Sequence, residues 1–270
     1  MAAVPLSVVE QAARPVTLVT GAARRIGRCI AEALARAGHD VALHCRMSRD
    51  EAEALAVALR GHGVRAEVFA ADLSDELACQ ALVPQVVARL GRLDAVVNNA
   101  ATFEYDAPET FGHAAMDKHW RANTAPAVIL AQALHRHLRE RGAAPASGCV
   151  VNLLDQKLAN PNPDYFSYTL SKAALEAAGV MLAQALAPLV RVVGVSPGVT
   201  LPSGPMTADE FAQAHQLTPL GRASTPDDIA RTVRFALESP AITGTTLVVD
   251  GGQHLNAQPR DVLYLVKAPE

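Results

Sequence analysis

Cysteine is scarce and scattered in this chain. Cys29, Cys45, Cys79 and Cys149 are the only four in 270 residues, and no two form a CxxC pair. The spacing offers no disulfide framework and reads as reduced thiols, mostly in the core, in a reducing compartment. An excess of positive charge is also missing: 24 Lys and Arg stand against 27 Asp and Glu, a formal net charge of −3. A nucleic-acid surface would need a basic stripe, so that class of partner is set aside. The opening MAAVPLSVVEQAARP lacks the basic-then-apolar layout of a signal peptide. Long apolar runs are absent too. The nearest, residues 173–190, carries Glu176, Gln184 and Pro188 and is rich in alanine, whereas a membrane span needs about 20 mainly apolar residues. The histidines contain no cluster at ligand spacing; His135 and His137, two apart on an expected helix, face different sides. The chain is therefore expected to be soluble and cytoplasmic, without metal, membrane or nucleic acid.

What the chain does have is apolar content for a sizeable core, 50% hydrophobic against 19% charged. Short β-branched runs alternate with longer alanine-rich stretches. Strands are expected at Val16–Thr20, Asp40–His44, Val64–Ala70, Leu93–Asn98, Cys149–Leu153, Val190–Ser196 and Thr246–Asp250. Helices are expected at about 25–37, 50–61, 74–90, 116–139, 168–187 and 226–238. Strands apolar on both sides and separated by helices imply a parallel sheet covered on both faces. No composition shift or repeat divides it, so a single domain over 14–270 is expected, after a flexible leader at 1–13. Prolines and glycines at about 199–218 break the alternation and mark a candidate substrate loop.

The first strand runs into TGAARRIG. Gly21 permits a tight turn, and a helix starting near Arg25 offers unpaired N–H groups to a pyrophosphate. At the end of the second strand, where an acid would grip a free ribose 2′-hydroxyl, stand His44, Arg46 and Ser48, with Arg24 across the turn. Cations and a hydroxyl there suit a 2′-phosphate, which favours NADP(H) over NAD. Asp72, with Leu73, follows the third strand, where its carboxylate either meets the adenine or caps a helix. The small residues of VVNNAA, including Asn99 and Ala100, allow close backbone approach to the cofactor.

Tyr168 and Lys172, four apart, share a helix face; Tyr165 has Thr169 at that offset instead. An ammonium held near a phenol is expected to favour the phenolate and bring its proton within reach of neutral-pH chemistry. Tyr168 is thus the expected working tyrosine.

Taken in order, TGAARRIG, NNAA, Asn123 in RANTAP, YxxxK, SPG and VDGG resemble the short-chain dehydrogenase/reductase family over roughly residues 14–256. The resemblance implies a Rossmann-type, doubly wound α/β fold of about seven strands. It implies that Tyr168 exchanges the proton and that Lys172 binds the nicotinamide ribose. Asn123 would support a water relay, and the cofactor set would extend to Ile26, Pro197, Gly198 and Thr200. A homotetramer, or failing that a dimer, would pack through helices 116–139 and 168–187. The family's substrate-polarising serine lies thirteen residues before the tyrosine; here that position is Asp155. An ionised aspartate only accepts hydrogen bonds and opposes a phenolate beside it. It suits a substrate with N–H donors, or, protonated, one with a C=N bond. Arg25 at the usual second glycine, Phe103 after NNAA, and His44 with Ser48 complete a set that resembles the pteridine reductase branch. That branch implies a pterin or folate-like substrate bound by Arg25, Phe103, Asp155 and Tyr168. The residues alone leave open a buried Phe103, an Asp155 that caps a loop, reduction of a ketone or 3-oxoacyl thioester, and a non-catalytic NADP sensor. The proline-rich NPNPDYF has no assigned contact, and the tail RDVLYLVKAPE is expected either to reach a neighbouring subunit or to fray.

Overall fold

Seven strands, β1 Val16–Val19, β2 Asp40–Cys45, β3 Ala66–Ala70, β4 Ala95–Asn98, β5 Gly148–Leu153, β6 Val190–Pro197 and β7 Thr245–Val249, pair in parallel throughout in a computed structural model describing residues 14–202 and 206–267. Their order is β3-β2-β1-β4-β5-β6-β7. Every residue of β1, β2, β4 and β5 is buried, as expected for strands covered on both faces.

Adjacent valines explain how one strand serves two cores. Val97, Val151 and Val193 pack on one side with Ile30, Leu34, Leu55 and Ile229. Val96, Val150 and Val192 face the other way, against Leu82, Val86, Leu130 and Leu134. The period of two makes this alternation unavoidable. The first side is covered by α1 Arg25–Arg36, α2 Arg49–Arg60 and α8 Pro226–Glu238; the second by α3 Glu76–Leu90, α5 Ala125–Glu140 and α6 Phe166–Ala185. No helix among the described residues is long and apolar enough to cross a membrane.

Three local departures from the expected pattern have physical causes. The helix expected at 116–139 is divided into α4 His113–His119, a π-turn Trp120–Thr124, and α5. Pro126, in the first turn of α5, has no N–H to donate back to the preceding turn, and the chain widens just ahead of it. The segment 199–218 contains α7 Ala208–Gln216, fixed by a reciprocal cap between Thr207 and Glu210. The tail is helical over part of its described length. Its α9, Val262–Val266, packs Val262, Leu263 and Val266 onto Met206 and Ala214 beside α7. The leader at 1–13 lies outside the described residues.

The strand order reverses between β1 and β4, and open parallel sheets bind ligands beyond their carboxyl ends at such a crevice. Gly21, Asn99, Asp155 and Gly198 all follow strand ends on that edge.

Candidate active site

The turn after β1 is built to bring backbone close to a ligand. Gly21 has φ +62°, and a Cβ at Gly27 would lie 2.3 Å from the Gly21 carbonyl oxygen. Arg25 stands at the expected glycine position and keeps the backbone a glycine would have, with φ +53°. A left-handed non-glycine residue costs on the order of 1–3 kcal/mol, so the arginine side chain is retained against strain. Its guanidinium donates to the carbonyl of Pro202 at 3.1 Å. The first turn of α1 has neither a side-chain cap nor an acid, which leaves its positive end free for an anion. The turn is pinned from β4: Asn99 Nδ2 donates to the carbonyls of Thr20 and Gly21, at 2.9 and 3.2 Å.

His44 does not act as a cation here. It is buried, its Nδ1 accepts from the Gly21 N–H at 3.2 Å, and Nε2 lies 3.1 Å from the Ala71 carbonyl oxygen. Both ring nitrogens are engaged, and burial pushes its pKa below the ordinary value. His44 thus braces the turn while its ring lines the cleft beside it. Arg46 is exposed at the cleft, whereas Arg24 is ion-paired with Glu51. Ser48, just before α2, lies outside the residues lining either cavity. Asp72 caps no helix. It accepts from the Ser74 N–H and hydroxyl at 2.9 and 2.7 Å, while Asp75 caps α3. Leu73 and Ala100 line the same cleft.

At the chemical end, Asp155 follows β5 and caps the short turn Gln156–Ala159, its Oδ1 accepting from the Lys157 N–H at 2.9 Å. Its other oxygen accepts from the Tyr168 hydroxyl at 2.9 Å. Capping and contact with the tyrosine, alternatives in the sequence, are thus both realised. Lys172 is buried and donates to the Leu153 carbonyl at 2.6 Å; its Nζ lies 5.8 Å from the centre of the Tyr168 ring.

This arrangement reverses the expected effect on the phenol. Burial, reinforced by the Asp155 charge, pushes the Tyr168 pKa well above the ordinary value. The Lys172 ammonium is itself pushed down to about 8 by burial, with Asp155 opposing. Burial likewise raises Asp155, against the opposing Lys157 N–H, Tyr168 and the two lysines. The hydrogen-bonded pair therefore holds its protons more tightly than either group would in water.

Asn123 is buried in the π-turn ahead of α5. Its side chain braces a loop, with Oδ1 accepting from the Thr102 N–H at 2.7 Å and Nδ2 donating to the Thr102 carbonyl and the Ser171 hydroxyl at 3.0 and 2.9 Å. These contacts engage both ends of the amide. The braced loop carries Phe103, which is 42% exposed. Phe103 stacks on Tyr165 at 4.1 Å between ring centres and meets Tyr168 edge-on at 4.7 Å. Tyr165 covers one face and the rest of the ring is partly exposed, the alternative to core burial. Tyr165, the residue before α6, holds this geometry with φ +53°.

The far wall was missed in the sequence. Asp164, from the proline-rich segment, is buried and accepts two bonds from Arg260, each 2.8 Å, and one from the Asp261 N–H at 2.7 Å. This clamp brings Asp261 and Val262 beside Asp155, Lys157 and Met206 in a cavity of about 220 Å³. Pro197, Gly198 and Thr200 line it from the end of β6, although the Thr200 hydroxyl is occupied by the Gly198 carbonyl and Ser224. The larger cleft, about 520 Å³, holds Gly21, Arg46, Asp72 and Asn99. Arg25, Ile26, Phe103, Asp155 and Tyr168 line both. The anion-binding turn and the Asp–Tyr pair thus open into adjoining spaces.

Known proteins are similar to this chain over most of its length. A family model described as enoyl-(acyl carrier protein) reductase matches residues 21–254. FolM alternative dihydrofolate reductase 1 from Brucella canis, solved as a complex with NADP, superposes with TM-score 0.85 at 42% identity, covering 91% of this chain and 96% of that one. Pteridine reductase 1 of Leishmania tarentolae is 32% identical over 283 residues, covering 89% of this chain and 96% of the relative. A 3-oxoacyl-[acyl-carrier-protein] reductase, FabG, of Staphylococcus aureus is 31% identical over 244 residues, covering 88% and 97%.

Proposed function

The chain belongs to the short-chain dehydrogenase/reductase family, with a resemblance to its pteridine reductase branch, and we propose that it is an NADPH-dependent reductase of C=N bonds in pterin or dihydrofolate-like substrates. The observation that carries this reading is the hydrogen bond from Tyr168 to a half-buried Asp155 beside the partly exposed ring of Phe103. A carboxyl group raised by burial carries a proton toward neutral pH and hands it to a ring nitrogen, with Tyr168 as the donor in contact with the substrate. Phe103 offers the flat ring a stacking partner.

The residues present fit the dinucleotide. The turn from Gly21 to Ile26 and the uncapped start of α1 would hold its pyrophosphate. Arg24 and Arg46 would take the 2′-phosphate, Asp72 and Leu73 the adenine, and Asn99, Ala100, Tyr168, Lys172 and the Pro197–Thr200 turn the nicotinamide riboside. When bound, NADPH supplies the hydride. Release of Arg24 from Glu51 accompanies that binding. Helix α6 exposes Leu170, Val180 and Met181, which supports assembly into a homotetramer through that face.

A second reading, reduction of a ketone or 3-oxoacyl thioester, draws on the likeness to FabG. Against it, Asp155 stands where the family resemblance places a neutral hydroxyl donor, and a carboxyl group raised by burial suits protonation of a basic ring nitrogen. The two separate by turnover: NADPH oxidation is expected with dihydrobiopterin or dihydrofolate and not with a panel of ketones and acetoacetyl thioesters. Reduction of the ketones alone would reject the pterin reading, and no turnover with either set would favour a sensor.

The stacking contact is tested separately. Phe103→Ala is expected to raise KM for the pterin about tenfold, as loss of an aromatic contact of about 1 kcal/mol with its buried area implies. Cofactor affinity in the binary complex should hold within about twofold, since pyrophosphate binding rests on the turn. Fluorescence titration with NADPH and steady-state kinetics check both.

A further inference from the structure

Beyond the Asp–Tyr pair, the small cavity contains a second set of charges that the proton step leaves unused. Lys157 is buried at 5% exposure, and among the described residues the carboxylate it pairs with is Asp261. Nζ donates to the Asp164 carbonyl, lies 3.8 Å from Asp261 Oδ2, and sits 5.7 Å from the centre of the Tyr165 ring. Asp261 arrives from the C-terminal segment, where its Oδ1 accepts from the Leu263 N–H at 3.1 Å as the cap of α9. The same residue's backbone is fastened through Asp164, which Arg260 grips at two points. Lys157 is joined to the proton step directly, because its N–H binds Asp155.

We infer that Lys157 and Asp261 are further positioning residues of the active site, a buried ion couple that ties the C-terminal segment to Asp155 and balances the charge it senses. The inference rests on the Asp155–Tyr168 reading above. Asp155 is faced by Tyr168 and Lys172 from α6, by Lys157 from its own turn, by Asp261 from the C-terminal segment and by Arg25 across the cavity. Lys157 alone would stabilise the ionised carboxylate and empty the donor. Asp261 offsets that cation and leaves Asp155 able to keep its proton. The tail thereby contributes to the chemistry and not only to the wall.

The two members of the couple act with opposite signs, and this separates the proposal from a purely structural role. Asp261→Asn retains a side chain able to cap α9 and leaves Lys157 uncompensated. The Asp155 titration, read as the limb in kcat/KM against pH, is expected to move down by about one pH unit. Lys157→Met is expected to move it up by a similar amount, Lys157→Arg to leave it in place, and the double change Lys157→Met with Asp261→Asn to return it toward wild type. The same titration is read without turnover from the carboxyl signals of ¹³C-labelled aspartate, with Asp155→Asn assigning the resonance. Shifts of one sign in both single variants, or no shift in either, would overturn the proposal. If the protein reduces no pterin but the NMR shifts oppose one another, the couple stands and the substrate reading falls; pterin turnover with unmoved titrations gives the converse.

Discussion

Tyr168→Phe is expected to lower kcat for the pterin by about two to four orders of magnitude, the range for losing a positioned proton donor. The substitution removes one oxygen. The ring stays in its edge contact with Phe103 at 4.7 Å, and Asp155 loses its 2.9 Å partner. NADPH affinity is expected to hold within about threefold, because the anion site rests on the turn after β1 and the free end of α1. Single-turnover kinetics with a binding titration check this. Equal loss of cofactor binding and turnover would mean that the phenol serves mainly to hold the nucleotide.

Asp155→Asn has the second large expected effect and bears on substrate class. Asparagine keeps the shape but cannot carry the proton, so kcat/KM for the pterin should fall by about a hundredfold or more. The pH dependence has a definite sign. Asp155 is raised above its ordinary value, and the working form is protonated, so the wild-type rate is present at lower pH and lost as pH rises through that raised value. In the asparagine variant this limb should disappear. Asp155→Ser makes the opposite comparison, restoring a neutral hydroxyl; pterin turnover should drop while ketone turnover rises. Retention of pterin activity in both variants would remove Asp155 from the chemistry.

Much of this site was legible because it depends on spacing and local geometry. Tyr168 and Lys172 share a helix face by periodicity alone, and each expected strand lies within a few residues of the observed one. Arg25 at a glycine position was visible as a residue type; its positive φ confirms what the turn requires. Electrostatics were less legible. The Tyr168 pKa moves up through burial and the Asp155 charge, and burial is a tertiary quantity that no spacing reports. His44 shows the same limitation: its charge is lost to enclosure between Gly21 and Ala71. The C-terminal wall was hidden by distance along the chain, since Asp164 and Arg260 meet across 96 residues. Two signals were present and unused: the Thr207–Glu210 cap that announces α7, and Pro126 inside an otherwise unbroken helical run.

The central claim is that Asp155 and Tyr168 together present a proton to a nitrogen ring lying against Phe103. A crystal structure of the protein with NADP⁺ and a dihydropterin tests it most directly. The expected result is a ring stacked on Phe103, with a ring nitrogen within hydrogen-bonding distance of the Tyr168 hydroxyl and Asp155 still bonded to that hydroxyl. A pterin bound elsewhere, or Asp155 turned away from Tyr168 with the ring in place, would contradict it.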